Sequence, residues 1–443
     1  MNDEVRANSG QVEMGAIRSG VSEQSRRPRF WKSGEGCVPS HRLETRTWDL
    51  VAALAWSRHP DPLSRLRDAL QAQTARQHIL FAPSGRCAIA QILSMLPQQE
   101  VVMPAYLCHE VRKAAEIAGK RIIYVDIAKN GLNATSAEFG EAAKPGRVLL
   151  PAHALGIPTD IEAICELGRR RDCVVIEDAA PAFGARRNGQ LLGTFGDVGI
   201  FSFERSKRFA AFSGGAIVVN KDSTLDIERL AAATETNLQR SMPVRELIQA
   251  VAQNLASIPW IYRSLTLPLM PLRDVLPRLL RRFRRRRGTA SSARAPEIPQ
   301  SAFYRRPLHP YQAELVLRMV KRMDQIREQI TRLAEVYLRV FENSPIARFV
   351  PPGSDLGGLM RFPVAFPGRR RDDILRAARK RGLYLKTLWD RPLVDEGQLA
   401  RFPNTAWAAR NVVMLPLYST LSPKSAELLA QDLIEIERNA TGV

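Results

Sequence analysis

The chain has 443 residues, 45% hydrophobic and 25% charged, an ordinary globular composition with length for more than one domain. Its five cysteines, Cys37, Cys87, Cys108, Cys165 and Cys173, form no CxxC pair and no metal-type His/Cys spacing, which argues against a disulfide framework or a zinc site and fits a reducing cytoplasm. The formal net charge of +20 suits nucleic acid, an anionic membrane or acidic substrates, and it is concentrated: seven of the ten residues from Arg278 to Arg287 are arginine.

Residues 1–45 mix Ser, Gly, Glu and Arg without apolar periodicity and read as a disordered basic arm. No apolar segment follows a basic start there, so no secretory signal is indicated. From about residue 64 the pattern turns regular. CAIAQILSML (87–96) reads as a helix, EVVMP (100–104) as a strand, HEVRKAAEIAG (109–119) as a helix and RIIYVDI (121–127) as a strand. RVLLPAH (147–153), CVVIEDAA (173–180), DVGIFSF (197–203) and GAIVVN (215–220) add strands, with DIEAICELGRRR (160–171) a helix between the first two. Short β-rich runs separated by helices indicate parallel βαβ units.

Residues 224–300 break the rhythm with helical stretches, prolines and the arginine run. The longest uncharged stretch, Leu247 to Tyr262, is 16 residues, short of the roughly 18 apolar residues of a spanning helix. A single long helix is expected from about Tyr311 to Phe341. The segments 356–366, 372–382 and 422–437 then suggest a smaller α+β unit.

Ligands of open parallel sheets bind at the carboxyl ends of strands, and three features fall there. The Ser84-Gly85-Arg86 corner opens a helix and suits a phosphate, or is a loop with Ser84 as a simple N-cap. Glu177 and Asp178 end an apolar strand, where a carboxylate pairs with a protonated ring nitrogen, binds a metal or only caps a helix. No His/Asp/Glu cluster at metal spacing accompanies them, so no metal is assigned. Lys207 follows a third strand in SFERSKRFAAFSGG (202–215). Of 65 Lys+Arg in the chain only 11 are lysine, and lysine, unlike arginine, can lose its proton and attack a carbonyl. Its bland alternative is an exposed loop lysine. His153 either approaches a ligand or is a satisfied histidine at a strand end, and Cys87, Cys165 and Cys173 read as core.

SGR, VVMPAY, PAHALGIPTDIEAI, IEDAAPAFGA, FGDVGIFSFERSKRFAAFSGGAIVV and VMLPLYSTLS, in this order, resemble the DegT/DnrJ/EryC1/StrS family of pyridoxal-phosphate-dependent sugar aminotransferases. The resemblance runs from about residue 64 to the C-terminus and is weakest between 224 and 310. It implies an α/β protein of PLP-dependent transferase fold type I (aspartate-aminotransferase-like). The large αβα sandwich domain would span 46–300 with a basic insertion around 258–300. A long linking helix and a small C-terminal α+β domain would span 301–443. It also implies a homodimer whose cofactor is pyridoxal 5'-phosphate and whose substrates are a nucleotide-sugar and an amino acid, glutamate by analogy.

Carried over by the resemblance, Lys207 is the catalytic lysine that bonds the cofactor, and Asp178 pairs with the pyridine nitrogen. Ala180 packs on the ring face, Gly85 and Arg86 form the phosphate turn, and Ser202 reaches the phosphate. The chain also departs from the family pattern. Pro181 stands where Gln usually meets the phenolic oxygen, and Phe183 where His is frequent. Cys108 replaces the stacking aromatic, with Tyr106 or His109 as substitutes. Arg208 replaces an Asn after the lysine, and YRRPLHPYQ (304–312) replaces the Asn-x-Arg segment, leaving Arg305, Arg306 or His309 to serve. Two functions follow: an aminotransferase on a nucleotide-linked keto-sugar in polysaccharide or glycoconjugate synthesis, or a catalytically impaired binding or regulatory relative. The segment 258–288 reads as a peripheral contact with an anionic membrane, as steering of nucleotide-sugars, or as a solvated charge run. No nucleic-acid-binding module is recognisable.

Overall fold

The computed structural model describes residues 38–57, 61–220, 225–235, 244–270, 308–367 and 370–439. The expected alternation of strand and helix gives β1 (His78–Ala82), β2 (Glu100–Pro104), β3 (Arg121–Val125), β4 (Arg147–Leu149) and β5 (Val174–Asp178). A small antiparallel hairpin, β6 (Arg186–Arg187) and β7 (Gln190–Leu191), precedes β8 (Val198–Ser202) and β9 (Gly215–Val219). Seven of these form one sheet in the order β1-β9-β8-β5-β4-β2-β3. Strands β3, β2, β4, β5 and β8 run parallel, and β9 is antiparallel to both β1 and β8.

Apolar residues fill both faces of the strands because both faces are covered. Alternate side chains point to opposite sides of a strand. Ile79, Phe81, Phe201, Ala216 and Val218 enter one cluster, with residues of the helices Pro62–Thr74, Pro310–Val320 and Met323–Val340. Leu80, Ala82, Val198, Ile200, Ile217 and Val219 enter another, with residues of the helices Gly85–Met95 and His109–Ile117. The result is the α/β fold with a large αβα layer that the sequence implied. A smaller antiparallel sheet, in the order β10 (Ala347–Arg348), β11 (Phe362–Ala365), β13 (Val413–Leu415), β12 (Lys386–Thr387), follows in the C-terminal part.

Two expectations need correction. The presumed long helix is two, Pro310–Val320 and Met323–Val340, broken at Lys321–Arg322. No Pro or Gly announces the break. Arg322 holds it by donating to the Arg318 carbonyl at 3.3 Å and to Asp49 Oδ2 at 2.6 Å, a tertiary partner invisible in local sequence. The end of the segment read as a disordered arm is packed: Val38, Leu43, Glu44 and Thr45 are buried. The Thr45 hydroxyl donates to the Ala210 carbonyl at 3.2 Å, and Asn254 Nδ2 donates to the Thr45 carbonyl at 3.0 Å.

The C-terminal part is tied to the large domain at several places. The Asp126 carboxylate accepts the Asn404 and Thr405 N–H groups at 3.0 and 2.8 Å, satisfying free donors at the start of the helix Pro403–Asn411. The segment 355–360 docks against 154–156 and 184–186: the Met360 N–H donates to the Leu155 carbonyl at 2.7 Å. The Arg186 N–H donates to Asp355 Oδ2 at 2.6 Å. Arg327 pairs with Asp355 by two bonds of 2.9 and 3.0 Å. That docking brings Gly358 against Ala185, past the carboxyl end of β5 and beside the candidate site.

Candidate active site

The carboxyl ends of β5 and β8 lie side by side, because the two strands are parallel neighbours with Asp178 opposite Ile200. Asp178 is the last residue of β5 and Ser202 the last of β8. Strand β1 leads through Pro83 into the Ser84-Gly85 corner, and Ser84 bridges Gly214 just ahead of β9. The Ser84 hydroxyl accepts the Cys87 N–H at 3.2 Å and caps the helix Gly85–Met95. The simple-cap reading of Ser84 therefore holds. It coexists with a helix start whose first N–H groups face the end of the sheet.

Ala180, Ser202 and Lys207 wall one cavity with Pro181, Phe183 and Arg208. Gly85 adjoins it: a Cβ there would lie 3.0 Å from the Ser202 Cβ and 3.8 Å from the Ala180 Cβ. Asp178 is 3% exposed, and burial pushes its carboxyl above the usual carboxylate range. The Lys207 charge and an Ala180 N–H bond at 3.0 Å to Asp178 Oδ1 pull it back. Lysine and aspartate are thus within electrostatic reach of each other.

Of the sequence-selected residues, Lys207, Ala180 and Ser202 wall the cavity, whereas Gly85, Asp178 and Arg86 do not, and Arg86 is turned to another partner. Its guanidinium pairs with Glu110 on the helix His109–Ile117. Cys108 does sit at the site, where burial raises its thiol pKa while Lys207 and Asp178 act on it in opposite directions. Both proposed substitutes for a stacking aromatic are hydrogen-bonded to the C-terminal part. The Tyr106 hydroxyl donates to the Leu388 carbonyl at 2.9 Å, and His109 Nε2 contacts the Arg391 carbonyl at 2.9 Å. His309 caps the helix Pro310–Val320 by accepting the Tyr311 N–H at 3.1 Å. Arg305, Arg306 and the arginine run 278–287 lie outside the described residues.

Glu177 separates from its neighbour in role. It is fully buried, and its carboxylate accepts N–H groups of Gly193 at 2.6 Å, Phe195 at 2.8 Å and Gly196 at 3.1 Å. His153 Nε2 lies 2.9 Å from the same carboxylate, while His153 Nδ1 accepts the Thr159 N–H at 3.2 Å. Accepting at Nδ1 puts the imidazole proton on Nε2, where it donates to Glu177. His153 is therefore a satisfied histidine, and Glu177 is the anchor of the loop ahead of β8.

Sequence reasoning missed Phe209 and Gly358, which also wall the cavity. Phe209 packs edge-on to Phe183 with ring centroids 5.1 Å apart, and Phe183 in turn packs on Phe201 at 4.6 Å. The replacement of a histidine by Phe183 is thereby accounted for by an aromatic cluster. Gly358 comes from the C-terminal part, and only the GG pair at 357–358 hinted that a close approach occurs there.

These residues fit pyridoxal phosphate. A buried carboxylate stands beside a lysine, the residue next to both is the small Ala180, and a side chain at Gly85 would fill the corner between Ser202 and the helix start. Among the described residues no group of His, Cys, Asp and Glu is arranged to hold a metal ion, and no helix is long and apolar enough to cross a membrane.

The sequence profile of the DegT/DnrJ/EryC1/StrS aminotransferase family matches residues 54–247 and 293–433. UDP-N-acetyl-3-dehydro-alpha-D-glucosamine 3-aminotransferase of Acidithiobacillus ferrooxidans is 34% identical over 166 residues, 36% of this chain and 45% of that protein. A pleiotropic regulatory protein of Geobacillus stearothermophilus is 29% identical over 169 residues, 37% of this chain and 45% of that protein. The matches thus span less than half the length of these relatives. In fold, the chain is similar to the aminotransferase TlmJ from Streptoalloteichus hindustanus, with TM-score 0.69 and 18% identity over 92% of this chain and 100% of that one. It is likewise similar to the PLP form of the putative sugar aminotransferase Spr1654 from Streptococcus pneumoniae, with TM-score 0.66 and 16% identity over 91% and 98% of the two chains.

Proposed function

Because this chain belongs to the DegT/DnrJ/EryC1/StrS aminotransferase family, we propose that it moves an amino group from an amino acid, glutamate in our reading, to a nucleotide-linked keto-sugar. The observation that carries the proposal is the single cavity walled by Lys207, Ala180 and Ser202, with buried Asp178 in electrostatic reach of Lys207.

Pyridoxal phosphate, when bound, supplies an electron sink for the charge left when the donor Cα loses its proton. Asp178 holds a proton on the ring nitrogen, and its burial strengthens that pairing because little water screens it. Lys207 would hold the cofactor through Nζ, and its free amine would take up the proton that leaves the donor Cα and hold it as ammonium for return to the product. The Ser202 hydroxyl and the first N–H groups of the helix Gly85–Met95 orient the phosphate. Ala180 leaves room for the ring face. Phe183 and Phe209 keep water from the cavity. In this reading Arg86 acts on the phosphate through charge or through release from Glu110.

The test is the absorbance band of bound pyridoxal phosphate near the visible edge, followed by amino transfer from glutamate to keto-sugar nucleotides. Wild-type protein should show the band and Lys207→Ala should lose it. A missing band, or one that survives the substitution, would sink the proposal. The competing reading is a relative that kept the fold and lost turnover, favoured by Pro181 in the cavity wall and Cys108 beside Lys207. Any measured transfer to a keto-sugar nucleotide removes it.

Homodimerisation, a cytoplasmic location and a role in polysaccharide or glycoconjugate synthesis belong to the same proposal. A peripheral contact with an anionic membrane through 258–288 is supported by the exposed side chains of Trp260, Leu265 and Leu269. Flotation with anionic vesicles should recover the protein, and neutral vesicles should not.

A further inference from the structure

The wall of the cavity contains a buried cation, Arg208, one of whose nitrogens has no acceptor among the described residues. Arg208 is 9% exposed and lines the cavity next to Lys207, Phe183, Phe209 and Gly358. Its Nη1 reaches Glu44 Oε1 at 3.4 Å, near the limit of a hydrogen bond, and among the described residues its Nη2 has no acceptor. Glu44 is already committed. Its Oε1 accepts the Ser419 N–H at 3.0 Å and its Oε2 the Ser419 hydroxyl at 2.5 Å.

A second buried arginine draws on the same carboxylate. Arg361 is 7% exposed, and its Nη1 donates to the Met360 and Leu417 carbonyls at 2.7 and 3.4 Å. Its Nη2 meets His41 Nδ1, which is neutral: burial and the Arg361 charge push the His41 pKa down to about 2. Burial, aided by the charge of Arg208, lowers the Arg361 pKa to about 10. Arg327 and Asp355, the other charges acting on Arg208, form their own two-bond pair and cancel. Two buried arginines therefore act on one carboxylate, which only Arg208 reaches directly. A buried charge whose hydrogen bonds are incompletely met is costly, and a guanidinium edge is shaped for a carboxylate.

We propose that Arg208 is the carboxylate anchor of this cavity: its free Nη2 receives a carboxylate of the substrate bound beside Lys207. The inference rests on the aminotransferase reading and adds a substrate requirement to it. Two sources share this chemistry, the carboxylate of the amino donor and a carboxylate carried by the sugar.

The experiment compares wild type, Arg208→Gln and Arg208→Lys as holoenzyme. The cofactor band is followed during titration with glutamate and with 1-aminopropane, which lacks a carboxylate. Binding of UDP-glucuronate and of UDP-glucose is measured by calorimetry. One lost charged hydrogen bond corresponds to at least about a tenfold weaker half-saturation. If Arg208→Gln weakens glutamate but not 1-aminopropane, the anchor serves the donor. If it weakens UDP-glucuronate but not UDP-glucose, the anchor serves an acidic sugar. Arg208→Lys should recover part of either loss. The proposal is overturned if both pairs respond equally, or if the variant instead loses cofactor affinity, which would make Arg208 a phosphate ligand. Should Arg208→Gln fail to fold, Glu44→Gln supplies the reverse test, since removing the competing carboxylate should tighten carboxylate binding and misfolding cannot. Calorimetry does not depend on turnover, so a missing Lys207-dependent band with intact carboxylate discrimination refutes the function and spares the anchor.

Discussion

Glu177→Gln changes one atom of a buried network, and the structure fixes what that change costs. The carboxylate accepts four donors, two on each oxygen: the Gly193 N–H and His153 Nε2–H on Oε1, the Phe195 and Gly196 N–H groups on Oε2. A glutamine offers one oxygen and one NH2. With NH2 in place of Oε2, the Phe195 and Gly196 donors face a donor. With NH2 in place of Oε1, the Gly193 donor is orphaned and His153 fares no better. Moving its proton to Nδ1 would turn Nε2 into an acceptor but deprive the Thr159 N–H of its own. Two buried donors are lost either way, at about 1–3 kcal/mol each, or about 2–6 kcal/mol together. Urea unfolding followed by circular dichroism measures the total, and hydrogen exchange at Phe195 and Gly196 shows whether the loop ahead of β8 opens locally. A loss under about 1 kcal/mol with both amides still protected would refute the reasoning.

Three further outcomes follow from the same geometry. Gly358→Ala would place a Cβ 2.3 Å from the Ala185 Cβ and 2.6 Å from its Cα, so the segment must shift, at about 1–3 kcal/mol, read by thermal unfolding together with reduced cofactor occupancy. Asp178 has a carboxyl raised by burial, so the native state holds its proton more tightly than the unfolded chain; that stabilisation is full below the unfolded carboxylate pKa and is lost as pH rises through the native one. Asp178→Asn should accordingly leave the apoprotein at least as stable as wild type near neutral pH while weakening pyridoxal phosphate at least about tenfold, checked by unfolding and by cofactor titration against pH. His41 behaves in the opposite sense: its native pKa is depressed to about 2, so the unfolded chain takes up a proton below about pH 6.5 that the native state refuses, and stability falls as pH falls. His41→Gln should flatten that acid slope in unfolding experiments at pH 5 to 7, each unit of which is worth up to about 1.4 kcal/mol.

Local chemistry made much of the fold readable from the chain. Parallel strands buried on both faces must be apolar along their length, and the helices between them must carry one apolar stripe, so β2, β3, β5, β8 and β9 stood out with their helices. Lysine is rare in this chain and chemically distinct from arginine, which singles out Lys207 from the sequence alone. Asp178, Ala180 and Ser202 were marked by ordered motifs. Contacts between residues far apart in sequence were not readable. Glu177 and Asp178 are adjacent carboxylates of similar local context, and only the tertiary structure decides that the first anchors the loop at 193–196 with His153 and that the second feels the charge of Lys207. The helix break at Lys321–Arg322 depends on Asp49, and Arg208 depends on Glu44 and Ser419, partners more than a hundred residues away in each case. Periodicity and composition report what a residue does with its neighbours along the chain. Charge pairing, exclusion of water and closure of the cavity by Gly358 are set by which distant segments meet, and the tertiary structure alone decides that.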